Sequence, residues 1–210
     1  MTDSPNPGTV HVVEDDNVLA DALCLLLMSR GLSAVSFPSG EAFLSAIDAD
    51  WPTGPACVLM DVRMKTLSGI ESFDRLRARK PTMPAPVIFL TGHGDISMAV
   101  DAVKSGAFDF FEKPFNDNRL VDRVMQALAE SHSRLKHEGS SGRIRGRLDR
   151  LTARERDVMD LILKGRLNKI IADELGISMR TVEVHRSNVF SKMAVRSAVE
   201  LSRLLEDLKD

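Results

Sequence analysis

The sequence predicts an α/β fold followed by an all-α one: a doubly wound (βα)5 parallel sheet over residues 1–130, then four helices over residues 147–210. Two observations carry that prediction. Five short apolar runs alternate with segments whose apolar residues recur at helical spacing. Beyond residue 147 the short runs stop, and only the helical spacing continues. A third observation divides the chain by charge. Met1–Gly142 holds 13 basic and 19 acidic residues, whereas Arg143–Asp210 holds 15 basic and 11 acidic ones, so a polyanion would meet only the second part.

Val10–Val13 is the first apolar run, and Asn17–Arg30 follows with Leu19, Leu23, Leu26 and Leu27 on one helical face before Gly31 stops it. Ala34–Phe37 reads as a strand, and Ser39 is placed to cap a helix running through Ile47. The prolines and glycine of Trp51–Pro55 mark a loop. Ala56–Met60, Val87–Leu90 and Phe108–Phe111 supply the remaining strands; Ser68–Ala78, Asp95–Lys104 and Asn116–Leu128 supply the helices between and after them. Asp95 suits an N-cap, and Gly106 suits the close of its helix. Repeated βα units of this kind build a parallel sheet with helices on both faces.

Residues 131–146 change character to Ser, His, Lys, Arg and Gly, which reads as a linker, with the preceding helix running into it as the alternative. Thr152-x-x-Glu155 is a capping box opening a helix over Ala153–Lys164, closed by Gly165. Asn168 suits the cap of a second helix ending at Leu175; Gly176-Ile177-Ser178 turns the chain into a third over Met179–Met193, and Ser197–Leu208 is the fourth. The remaining numbers are those of a soluble globular chain: 210 residues, 43% hydrophobic, 28% charged and a net charge of −2. A polar N-terminus and the absence of a long apolar stretch predict a cytoplasmic protein that makes no membrane contact. Cys24 and Cys57 lie among apolar residues and read as small buried hydrophobes.

Glu14, Asp15, Asp61, Thr91 and Lys113 each stand just past or at the end of an apolar run. In a parallel sheet they gather at the carboxyl edge, where open α/β sheets bind their ligands. Three carboxylates, a hydroxyl and an ammonium suit a divalent metal, Mg²⁺ or Mn²⁺, together with a phosphoryl group. A carboxylate needs no general base to attack phosphorus; it needs a metal and careful positioning. The stretches Val-Val-Glu-Asp-Asp, Leu-Met-Asp61-Val-Arg-Met, Thr91-Gly-His-Gly-Asp and Phe-Phe-Glu-Lys113-Pro-Phe resemble two-component receiver domains, of flavodoxin-like fold, and those of FixJ-type regulators in particular. The resemblance implies Asp61 as phosphoacceptor and Glu14, Asp15, Asp61 and the Arg63 main-chain carbonyl as metal ligands. It further implies Thr91 as the switch hydroxyl, Phe110 as the switch aromatic and Lys113 as the phosphate-binding cation. Lys65 departs from the family, which usually carries proline there; the loop gains a charge near the site.

Two other chemistries compete for such a site. An aspartyl-phosphate phosphatase of the haloacid dehalogenase type wants a second Asp two residues after the nucleophile, where this chain has Arg63. A flavin carrier would set its phosphate against three carboxylates. Neither fits, and the chain is not expected to be an enzyme in its own right.

Asn168–Met193 reads as helix, turn, helix. Stepping 100° per residue from Val182, the residues Val189, Phe190 and Met193 share its face, which is core. Glu183, Val184, Ser187 and Asn188 point the opposite way, as groove-facing side chains do, and Lys169, Arg180, Thr181, His185 and Lys192 flank them within reach of phosphates. Arg186 falls toward the buried side, as an ion-pair partner for Glu155. The wording Leu-Thr-x-Arg-Glu-Arg-x-Val, Leu-Gly-Ile-Ser and Thr-Val-Glu-Val-His-Arg resembles the LuxR-type DNA-binding domain. Together the two resemblances imply a FixJ/NarL-type response regulator: a sensor histidine kinase as phosphodonor, a homodimer when phosphorylated, and double-stranded DNA as target. A phosphorylation-independent DNA-binding protein, switched by a protein partner, stays open beside it.

Overall fold

The computed structural model describes residues 8–49, 53–79, 85–92, 96–206 and 208, with backbone alone at residues 96, 97 and 99. Asp95, His93-Gly94 and the Trp51-Pro52 part of the expected loop lie outside them. The chain divides into two compact units, Met1–Leu135 and Lys136–Asp210.

In the first unit the strands are β1 (Thr9–Val13), β2 (Ser33–Phe37), β3 (Ala56–Asp61), β4 (Val87–Thr91) and β5 (Asp109–Glu112). They form one sheet in the order β2-β1-β3-β4-β5, and every pair is parallel. The helices are α1 (Asn17–Ser29), α2 (Gly40–Ala49), α3 (Gly69–Arg79), α4 (Ile96–Lys104) and α5 (Asp117–Asp149). The central strands are apolar on both faces because helices cover both. Val58, Met60, Val87 and Phe89 pack with Phe43, Phe73 and Leu76 on one side, while Cys57, Leu59, Ile88 and Leu90 pack with Leu23, Leu27, Leu120 and Val124 on the other. All six residues of β3 are buried. At about 1.5–3 kcal/mol for each large aliphatic side chain, this strand is a main contributor to the unit's stability. The edge strands β2 and β5 are only partly covered, and their composition is accordingly more polar.

Local chemistry starts the helices as the sequence suggests. Asp16 caps α1 through Val18 and Leu19 N–H, the Ser39 hydroxyl accepts from Ala42 N–H, and Asn116 accepts from Arg119 N–H. Gly31 and Gly106 take positive φ at turns where a side chain would be strained. Burial pushes the Cys57 thiol up, and both cysteines are free.

One element differs from expectation. Residues 131–146, read as a linker, lie wholly inside α5. Tertiary contacts explain why the helix persists past Leu128. Ser131 is fully buried, and its hydroxyl accepts from Ala56 N–H at 3.0 Å. Ile144, further on, is buried in the core of the second unit.

That second unit adds α6 (Ala153–Leu163), α7 (Asn168–Leu175), α8 (Met179–Met193) and α9 (Ala198–Glu206). Its core is Val158, Leu161, Ile162, Ile171, Val182, Val189, Met193 and Leu201. The capping box forms, with Thr152 and Glu155 bonding each other's backbone N–H. Asn168 does not cap α7: it is the first helical residue, after Leu167, which offers no side-chain cap.

Candidate functional sites

The register of the sheet brings the ends of β1, β3, β4 and β5 to one edge. Val13 lies beside Met60, Asp61 beside Leu90 and Thr91 beside Glu112, so the chain leaves each strand at a common level. Glu14 and Asp61 are nearly fully buried there, Asp15 is half-buried, and oxygens of all three lie within 4.8 Å of one another. The Lys113 ammonium donates to Glu14 Oε2 and to Asp61 Oδ1, each at 2.8 Å. Four of the five residues singled out in the sequence are thus joined in one cluster, and Thr91 ends the strand between those of Asp61 and Lys113.

Burial raises the pKa of Asp61; Lys113 opposes the rise, and the charge of Asp15 adds to it. Glu14 is raised by burial as well, with Lys113 pulling it down and Asp61 pushing it up. Burial disfavours the Lys113 ammonium, but the hydrogen bonds and charges of Asp61 and Glu14 outweigh that and raise its pKa. One ammonium therefore faces three carboxylates, with the charge of Asp15 raising Asp61 and that of Asp61 raising Glu14. A hard divalent cation with oxygen ligands relieves such a surplus of negative charge, so the donor set is compatible with a divalent metal.

Thr91 is fully buried, and its hydroxyl donates to the Gly92 carbonyl at 2.9 Å. Its own carbonyl accepts from Lys113 N–H at 2.8 Å, tying β4 to the start of the lysine loop. Phe110 is half-buried and packs with Val103 against the cluster beneath α3 and α4. Arg63 lies two residues past Asp61, in the loop that returns to α3. That loop holds a residue the sequence reading passed over. Gly69 N–H donates to the Val62 carbonyl, and a Cβ at Gly69 would stand 2.1 Å from the Asp61 carbonyl oxygen. Only glycine allows α3 to begin so close to the phosphoacceptor candidate. A glycine right after Ser68, itself bonded to Glu71 in a capping pattern, is the signal that was there to find.

In the second unit, α7 ends on Gly176 in the left-handed region, and α8 starts at Ser178, whose hydroxyl accepts from Thr181 N–H. The result is a helix-turn-helix. Val182, Val189 and Met193 are fully buried on one face of α8, and Glu183, Val184, Ser187 and Asn188 are exposed on the other. Lys169 and Arg180 are also exposed, while Thr181 and His185 are half-buried, the former hydrogen-bonded to Ser178. Met179, absent from the sequence reading, is exposed beside Arg180, Glu183, Val184 and Ser187 on a shared shallow concavity.

Two residues of α8 find partners other than those expected of them. Lys192, expected at DNA phosphates, donates to Glu155 Oε2 at 2.6 Å. That carboxylate is buried, and Lys192 holds its pKa down to about 2, helped by the Thr152 N–H. Arg186, expected to pair with Glu155, instead lies over the Phe190 ring, 5.4 Å from its centroid. Lys192 is about one and two-thirds turns beyond Arg186, which carries its ammonium round to the N-terminus of α6, a spatial relation that spacing along one helix does not contain.

Two family models match the chain. Residues 10–125 match the response regulator receiver domain, and residues 149–205 match the luxR family of bacterial regulatory proteins. The C4-dicarboxylate transport transcriptional regulatory protein DctR of Rhodobacter capsulatus is 46% identical over 197 residues, covering 93% of this chain and 98% of the relative. The transcriptional regulatory protein FixJ of Bradyrhizobium diazoefficiens is 42% identical, with 94% of each chain covered. Among solved structures, a low-resolution structure of the response regulator StyR matches 95% of this chain and 98% of its own at a TM-score of 0.84 and 36% identity. Full-length FixJ from B. japonicum matches 96% and 97% of the two chains at a TM-score of 0.59 and 41% identity.

Proposed function

The chain belongs to the two-component response regulators that join a receiver domain to a LuxR-type DNA-binding domain, and from that membership we propose a mechanism for it: Asp61 takes a phosphoryl group from a sensor histidine kinase, and the modified receiver changes how α8 engages promoters. The observation that carries this reading is the Lys113 ammonium held at 2.8 Å from both Glu14 and Asp61, with Asp15 alongside, at the carboxyl edge of the sheet.

The clustered carboxylates of Glu14, Asp15 and Asp61 are the groups that would hold Mg²⁺ or Mn²⁺, with the Arg63 main-chain carbonyl as the further ligand that the family resemblance implies. Held by these residues, a divalent ion would supply charge neutralisation to the transferring phosphoryl group. The Asp61 carboxylate attacks phosphorus; the bond from phosphorus to the kinase histidine nitrogen breaks, and its electron pair stays on that nitrogen. Lys113 leaves the carboxylate oxygen for a phosphoryl oxygen within the reach of its side chain. The Thr91 hydroxyl, now bonded to the Gly92 carbonyl, turns to the new phosphoryl group. Phe110 then moves inward and alters the surface of α4 and β5, where two phosphorylated copies pair as a homodimer. In the DNA-binding domain, Glu183, Val184, Ser187 and Asn188 read base edges; Lys169, Arg180, Thr181 and His185 hold phosphates. Paired readers suit paired half-sites. Among the described residues no helix is long and apolar enough to cross a membrane, and a cytoplasmic setting is part of the proposal.

Asp61→Asn keeps the shape and removes the nucleophile; Asp15→Ala removes a metal ligand. Both are expected to lose labelling by acetyl phosphate at least a hundredfold while keeping the wild-type circular dichroism spectrum. Undiminished labelling of Asp61→Asn would refute the assignment of the site. Normal promoter switching by an Asp61→Asn protein would favour control by a protein partner instead.

A further inference from the structure

Lys65 stands beside the acidic cluster, and its position gives it a task there. It stands on the loop between Asp61 and α3, with 84% of its side chain exposed, and its ammonium lies 3.7 Å from Asp15 Oδ2. Asp15 is the most accessible of the three clustered carboxylates. The inner two share Lys113. The outer one faces Lys65.

We propose that Lys65 is a tethered counter-cation that competes with the divalent metal for Asp15 and so sets the metal affinity of the resting receiver. The inference rests on the reading of Glu14, Asp15 and Asp61 as the metal ligands. Formal charges explain the direction. Three carboxylates and Lys113 leave the site at −2, which one Mg²⁺ neutralises. Lys65 brings the resting site to −1, so the incoming ion gains less and must displace an ammonium from one of its ligands. Phosphorylation reverses the balance, since an acyl phosphate carries about one more negative charge than the free carboxylate. The extra cation therefore disfavours metal on the unmodified site more than on the modified one. A flexible, solvated side chain suits that task, because it can leave Asp15 without disturbing the core.

The test is calorimetric titration of the full-length, unphosphorylated protein with MgCl₂, alone and as the Lys65→Ala, Lys65→Arg and Asp15→Ala variants. An exposed ion pair of this kind is expected to shift the dissociation constant about two- to fivefold. Lys65→Ala should tighten Mg²⁺ by that factor at low ionic strength, Lys65→Arg should match wild type, and the difference should shrink as KCl is raised through 0.5 M. Equal affinity of Lys65→Ala and wild type would overturn the proposal. So would a tightening that Lys65→Arg shares, or one insensitive to salt, since either would trace to the loop backbone. Failure of the underlying metal reading looks different: wild type would give no saturable Mg²⁺ heat, or Asp15→Ala would leave it intact.

Discussion

His11 shows how one side chain couples the fold to pH. It lies in β1, nearly fully buried, stacked on Phe37 at 5.8 Å and close to Phe43, and neither ring nitrogen has a hydrogen-bond partner among the described residues. Burial lowers its pKa from the ordinary value of 6.5. The folded state therefore binds the proton less readily than the unfolded one. Stability is fully present above about pH 6.5 and is lost as pH falls toward the lowered value, with a slope of at most about 1.4 kcal/mol per pH unit. Replacing His11 by Phe, in a site already walled by phenylalanines, should remove that part of the acid sensitivity. Urea denaturation of wild type and His11→Phe at pH 7.5 and 5.5 measures it, and an unchanged difference between the two pH values would show that other groups are responsible.

At the scale of elements, α5 is the one whose composition and structure disagree. Gly139, Gly142 and Gly146 lie within it at ordinary negative φ, and a Cβ added at any of them would meet nothing within 4 Å. Neither backbone conformation nor close approach calls for glycine, so each costs the helix about 1 kcal/mol relative to alanine. Gly139-Ser140-Ser141-Gly142 is consequently a weak segment between two anchored ones, Ser131 in the sheet unit and Ile144 in the helical unit. Amide exchange through residues 138–143 should be at least tenfold faster than through residues 120–128. Gly139→Ala together with Gly142→Ala should slow it by about 2 kcal/mol of added protection. Equal exchange along all of α5 would contradict this. The opposite lesson comes from α8, where a stepping of 100° per residue separated the buried Val182, Val189 and Met193 from the exposed Glu183, Val184, Ser187 and Asn188.

For the whole molecule, an acidic receiver and a basic reader divide the labour by charge. Cations of the second unit that are not already committed to a carboxylate are the ones that displace counterions from DNA. Lys169 is exposed and has no ion-pair partner among the described residues; Lys192 is held by Glu155. In fluorescence-anisotropy titrations of a promoter duplex and an unrelated duplex, Lys169→Ala should weaken both alike and reduce the slope of log K against log salt by about one. Lys192→Ala should instead lower the melting temperature, because it leaves a buried carboxylate without its ammonium. A salt slope altered equally by both changes would return Lys192 to the DNA surface.

What the sequence determined by itself was everything that repeats locally. Strands announced themselves as apolar runs because both faces of a parallel sheet are covered, helices by their 3.6-residue period, and caps by Ser39 and Thr152. The site was legible for the same reason: strand ends in a parallel sheet share one edge, so Glu14, Asp15, Asp61 and Lys113 could be brought together by counting alone. Only the tertiary structure decided which charges meet across elements. It gave Glu155 to Lys192 rather than Arg186, drew α5 through residues 131–146, and set Gly69 against the Asp61 carbonyl. Periodicity fixes which face of an element a residue occupies, whereas ion pairs and close approaches depend on how two faces are packed, and that relation has no period along the chain.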